Sequence, residues 1–174
     1  MAAVSQGETS VEWYPWIVTA HVLGAFLFVF GHGASAFAAL RLRRERDPVR
    51  IGAMLDVSVT SYAAMGVGWL LLLIAGIVAT FMAGLWGQGW IWVSLVMFVL
   101  LTLYMGARAG EWMRGIRRGI GMKPPFSKPE VEGPTPVTAQ ELDRMLQSPR
   151  MFEVTLVGSV GLVVIIGLMV LKPF

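Results

Sequence analysis

The chain has 174 residues, 56% of them hydrophobic and 14% charged, against roughly 25% charged residues in soluble domains. With a positive mean hydropathy and a net charge of +3 carried beside apolar runs, it reads as an integral membrane protein, and its basic residues imply a membrane surface, not nucleic acid, as partner. The absence of cysteine excludes disulfides, thiolate metal sites, iron–sulfur clusters and cysteine nucleophiles.

Residues Met1 to Pro15 carry Glu8 and Glu12 and no Lys or Arg, as suits a short segment on the outer side of a membrane. They lack the basic start of a secretory signal, so the first span is expected to be retained. Trp13, Tyr14 and Trp16 form an interfacial belt ahead of the first apolar run, about 16–40. That run exceeds the ~20 residues needed to cross a bilayer core. Arg41, Arg43, Arg44, Arg46 and Arg50 follow it directly.

The next uncharged region is long enough for two crossings, about 56–83 and 89–107, broken by Gly84 to Trp90 with its glycines and interfacial tryptophans Trp86 and Trp90. A polar connection, 108–150, contains a proline-rich stretch expected to be extended and mobile. Thr138-Ala139-Gln140-Glu141 then reads as a capping box opening a short helix to about Gln147. Leu142, Met145 and Leu146 share one face of that helix, suited to the membrane surface or to the bundle. The fourth span is about 154–171. Of the fourteen Lys and Arg residues all but Lys172 fall in the two connections, which predicts both termini outside. The expected fold is an all-α, single-domain membrane four-helix bundle, N-out and C-out, with a short cytoplasmic interfacial helix.

His21 and His32 are the only histidines, and both lie in the first span. Eleven residues apart, they share a helix face about 16 Å apart along the axis, with Gly24, Ala25, Phe28, Gly31 and Ser35 on or beside it. Titratable rings in lipid need partners. Three readings stand open: neutral imidazoles hydrogen-bonded to Ser58, Ser61, Tyr62, Thr80 or a carbonyl; ligands of a metal, haem b or another tetrapyrrole; or proton transfer. A second haem ligand would have to come from Met65, Met97, Met105 or a dimer mate, or else the site would be five-coordinate. Asp56 and Glu153, placed at the starts of the second and fourth spans, read as helix caps, with gating or the binding of arginines of the first loop as the alternative. The eleven methionines invite a copper reading, since thioether is a soft ligand for Cu(I), but no span pairs two at i, i+3 or i, i+4, and gap-filling in the bundle is the better account. Ala75, Ala79 and Ala83 beside Gly76, Thr80 and Gly84 make the second helix a close-packing surface, either within the bundle or toward another subunit.

Trp16-Ile17, His21-Val22-Leu23-Gly24, Gly31-His32-Gly33, the arginine run and the glycine-dotted second helix resemble an uncharacterised group of bacterial four-helix integral membrane proteins. That group looks related to the copper resistance D-type membrane domain. More distantly, the hairpin is similar to the membrane-bound, haem-containing bacterial protoporphyrinogen oxidase, whose first helix also opens with a tryptophan followed by a histidine. The resemblance covers about residues 16–84. It implies a ligand-like role for His21 in the oxidase match, and a metal or small-solute role in the copper-resistance match. The chain departs from the oxidase pattern in lacking a basic residue within 56–83.

The expected function is that of a non-catalytic protein of the bacterial inner membrane: an accessory or cofactor-binding subunit, with His21 and His32 as candidate ligands. Its partners are the bilayer and other membrane subunits or a homodimer mate. The alternatives are a porphyrinogen oxidase-like enzyme and a transporter of a metal or small solute.

Overall fold

A computed structural model describes residues 6–128 and 130–174, with side chains from residue 12 onward. The first five residues of the outer segment, the side chain of Glu8, and Pro129 of the proline-rich stretch lie outside the described residues. The protein is all-α: α1 (Gln6–Leu42), α2 (Pro48–Met82), α3 (Gly89–Gly119), the short α4 (Ala139–Leu146) and α5 (Arg150–Leu171). The four long helices are each apolar and long enough to cross a membrane, and the chain is a multi-pass membrane bundle. Phe26, Phe30, Phe37 and Val163, each about 70% exposed, face outward, where only lipid makes such surface favourable.

Two packing modes build the bundle. α1 and α2 form a hairpin packed along much of its length, while α3 pairs with α5 and α1 touches α5 more lightly. On α1 the buried positions Gly24, Phe28, Gly31, Ser35, Ala38, Ala39 and Leu42 repeat at helical spacing. One glycine on each of the two helices is there because backbone meets backbone. A Cβ on Gly24 would stand 2.5 Å from the Leu72 nitrogen, and one on Gly68 would stand 2.6 Å from the Phe28 nitrogen. The small-residue surface of α2 thus faces α1, with Ala75 and Thr80 buried, whereas Ala83 is exposed. An aromatic layer links the two pairs: Phe98 of α3 meets Phe28 edge-on at 5.2 Å and stacks near Trp69 at 6.4 Å.

The helices are longer than their apolar runs. α1 continues upstream through Pro15, and the segment from Gln6 is helical. α2 starts at Pro48, not near Asp56, because Asp47 caps it: its carboxylate accepts from the Val49 N–H at 2.9 Å, and proline fills the first helical turn, where its missing donor costs nothing. Asp56 therefore lies inside α2, and its carboxylate accepts from Arg117 of α3 at 2.8 Å instead of capping. α3 runs on to Gly119, with Ala109, Trp112, Met113 and Ile116 buried, so the first twelve residues of the 108–150 connection are helix. Glu153 falls in the first turn of α5, where its charge suits the helix end, and it pairs with Arg108 at 3.5 Å.

Thr138 caps α4 by accepting from the Glu141 N–H at 3.3 Å, while the Glu141 carboxylate takes a hydrogen bond from Arg144. Leu142 and Leu146 are buried, and Trp112 Nε1 donates to the Met145 carbonyl at 2.9 Å. α4 is docked on the bundle. Arg46 pairs with Asp143, and Gln147 donates to the Arg43 carbonyl, tying α4 to the α1–α2 turn. The proline-rich stretch is anchored where Val137 N–H donates to the Gly119 carbonyl and Arg117 donates to that of Lys123. At the opposite end Trp86 and Trp92 pack together, and the Trp90 N–H donates to the Phe174 carbonyl.

Candidate functional site around His32

The two histidines share one face of α1 but not one environment, because different helices cover that face at different depths. At His21 the neighbour is α2. Nδ1 stands 2.8 Å from the Leu72 carbonyl oxygen. A carbonyl only accepts, so Nδ1 carries the proton and donates it, and a ring nitrogen in lipid is satisfied. Gly76 lies against this ring: a Cβ there would stand 2.8 Å from Nδ1. His21 thus takes the carbonyl partner open to it in the sequence. Thr80 and Ser61 are engaged elsewhere, donating to the carbonyls one turn back, Gly76 and Val57.

At His32 the neighbours are α2, α3 and α5. Its Nε2 is sealed from solvent and has no hydrogen-bond partner among the described residues. A small cavity of about 20 Å³ lies beside it, lined by Ser35, Ala36, Tyr62, Met65, Met105, Ala109, Met151, Val154 and Thr155. Met105 and Met151 are buried at 5% and 2% exposure, so their thioethers are removed from lipid and water alike. Gly158 of α5 marks where the walls converge. A Cβ on it would stand 2.5 Å from Met105 Sδ and 3.0 Å from His32 Nε2. The Met105 sulfur and the His32 ring press on the Gly158 backbone from different helices, so α5 has no room for a side chain there. Thr155 Oγ1, on the cavity wall, is also sealed and unpartnered.

Two buried polar atoms left unsatisfied in one small space are costly, about 1–3 kcal/mol each, unless something occupies the space with them. A 20 Å³ cavity has room for one water-sized body. A tetrapyrrole does not fit between these helices at His32. Nor do the two imidazoles converge on one group, since His21 is held on α2 at a different level. Among the described residues there is no cluster of three or more His, Cys, Asp and Glu. The donors at His32 are one imidazole, thioethers and hydroxyls.

Of the methionines named from sequence as companions of a histidine, Met65 and Met105 line the His32 cavity, while Met97 lies on an open groove between α3 and α5. Met151 was not singled out. Each helix contributes one of His32, Met65, Met105 and Met151, so no spacing along a single helix could signal the group. The α3–α5 groove, about 620 Å³, is open and lined by apolar side chains and Tyr104. Set against known protein families, curated proteins and solved structures, the chain matches none of them.

Proposed function

We propose that this protein is a non-catalytic accessory module of a bacterial inner membrane, holding a small ligand between its helices at His32. The observation that carries this reading is the sealed, unpartnered His32 Nε2 facing a water-sized cavity at the meeting of four helices. Intramembrane ionisable residues are functional hypotheses by default, and His21 has a structural partner while His32 Nε2 has none among the described residues. The concavities favour binding over catalysis: one is too small for an organic substrate and the other is apolar and open.

The arginines supply the orientation. Arg46, Arg108, Arg117, Arg144 and Arg150 gather with their acidic partners at one end of the bundle, the cytoplasmic end by the excess of positive charge. Outward faces of α2 and α5, apolar and lightly covered, suit neighbouring membrane subunits as well as lipid.

Purification in mild detergent, followed by elemental analysis and mass spectrometry of small molecules, tests the reading. A ligand that accompanies the wild-type protein and is lost from His32→Leu is the expected result. Identical content in the two preparations would remove the role of His32.

A further inference from the structure

We propose that the groove between α3 and α5 holds one acyl chain of a phospholipid whose headgroup, a phosphate bearing a primary amine, sits on the ion pairs at the arginine end of that groove. The walls are two apolar stripes at helical spacing, Met97, Leu100 and Tyr104 on α3 and Val157, Val160 and Val164 on α5. Followed one turn further, the same stripes reach Arg108 on α3 and Glu153 on α5, which pair between the two helices at 3.5 Å. Three residues beyond, Glu111 of α3 and Arg150 of α5 pair in the opposite sense at 3.0 Å.

Length and depth select a lipid chain over a partner helix. From Met97 to Arg108 is eleven residues, about 16 Å at ~1.5 Å per residue, or one leaflet's share of a ~30 Å hydrocarbon core. From Gly89, where α3 begins, to Arg108 is nineteen residues, about 28 Å, so the ion pairs stand at the edge of that core, at headgroup level. A helix of another subunit crosses both leaflets and would need a longer furrow. At the far end α5 instead closes on α3: a Cβ on Gly89 would stand 2.9 Å from the Phe174 ring. Leu101 lies against Gly161 and makes the floor, since a Cβ on that glycine would stand 2.7 Å from a Leu101 methyl carbon. The furrow of about 620 Å³ falls within the ~300–1,000 Å³ of ordinary ligand clefts.

Charge at the mouth selects the headgroup. Two guanidinium groups and two carboxylates stand there, a balance of zero, and every one of them is partly exposed. A headgroup with negative charge alone would meet the carboxylates as well as the arginines. A quaternary amine has no proton to donate to a carboxylate. A phosphate with a primary ammonium matches both signs: the phosphate accepts from Arg108 and the ammonium donates to Glu153. The Arg108–Glu153 separation of 3.5 Å exceeds the ~2.7–2.9 Å of a charge-assisted hydrogen bond, and so exposed a pair contributes little, so a headgroup opens it at small cost.

The test is native mass spectrometry of the detergent-purified full chain, titrated with phosphatidylethanolamine, phosphatidylcholine and phosphatidylglycerol of identical acyl chains. One phosphatidylethanolamine per chain is expected, held roughly tenfold more tightly than the other two. Arg108→Gln and Glu153→Gln should each abolish that preference. Val160→Trp, which fills the groove from a position 55% exposed, should remove the bound lipid. Val170→Trp, at the far end of α5 and 72% exposed, should leave it in place. A phosphatidylethanolamine with a photoreactive group in its acyl chain, which depends on no variant folding, should label α3 and α5 of the wild-type protein along the groove. Equal retention of the three lipids, a preference for the anionic one, survival of the preference in either Gln variant, or labelling spread evenly over the four long helices would overturn the assignment.

Discussion

The α1–α2 interface and the His32 junction lie along one face of the same helix, and they are opposites in how closely they are finished. Between α1 and α2 the backbones approach so nearly that Gly24 and Gly68 tolerate no side chain, and the part-buried His21 imidazole donates to a carbonyl. At the junction three further helices meet around flexible thioethers, a small void and an imidazole nitrogen with nothing to bond. Membrane helices gain association from close van der Waals contact, since lipid is as apolar as their side chains. The first region has that contact in full. The second gives it up at one point, which is what a binding site in a bundle requires.

The comparison breaks most sharply at the glycines. Gly24→Val or Gly68→Val would drive side-chain carbons into facing backbone, which cannot move as a side-chain tip can, and should cost about 3 kcal/mol or more. Loss of the folded band in detergent thermal-unfolding or gel-filtration assays is the expected outcome. Survival of either variant at wild-type stability would show that the helices are not so close.

The histidines sharpen it. His21→Leu removes the hydrogen bond to Leu72 and leaves that carbonyl with its helical partner only, lowering stability by about 1 kcal/mol. His32→Leu removes a buried polar atom that has no partner, so the ligand-free protein should be as stable as wild type or more so. Equal losses from both, measured by thermal unfolding in the same detergent, would erase the distinction between the two sites.

Beyond both regions, Arg117 clamps α3 to α2 through Asp56 and to the loop through the Lys123 carbonyl. Its side chain is 12% exposed and that of Asp56 is 58%, so solvent screens the pair and Arg117→Ala should cost about 1 kcal/mol, with the His32 site unaffected. The smallest effect belongs to Glu45 in the α1–α2 turn. The N–H groups of Asp47 and Arg46 hydrogen-bond its carboxylate and hold its pKa below the ordinary 4.5. A depressed folded value means that its contribution is fully present above pH 4.5 and is lost as the pH falls through the folded value. Comparing wild type with Glu45→Gln by thermal unfolding between pH 7 and pH 3 checks this. The difference should narrow toward acid.

The apolar runs were legible because hydrocarbon leaves a spanning chain little choice but helix, and the glycine break at 84–90 separated two of them plainly. Helix ends were less so, though signals existed. Asp47-Pro48 is a cap followed by a first-turn proline, and it marks the start of α2 eight residues ahead of Asp56. Ala109, Trp112, Met113 and Ile116 carry a helical period through the arginines of α3, which charge alone made look like loop. The docked face of α4 also could not be chosen between lipid and protein from Leu142 and Leu146, because both surfaces accept leucine.

What the amino-acid order determined by itself is the number of long helices, their apolar character and the gathering of arginine in two connections, since each is a property of a segment in contact with lipid or water. The tertiary structure alone decided that His21 is satisfied and His32 is not, and that Met65, Met105 and Met151 surround the latter. Those residues come one from each helix, and no spacing within a segment encodes the rotation and depth at which separate helices meet.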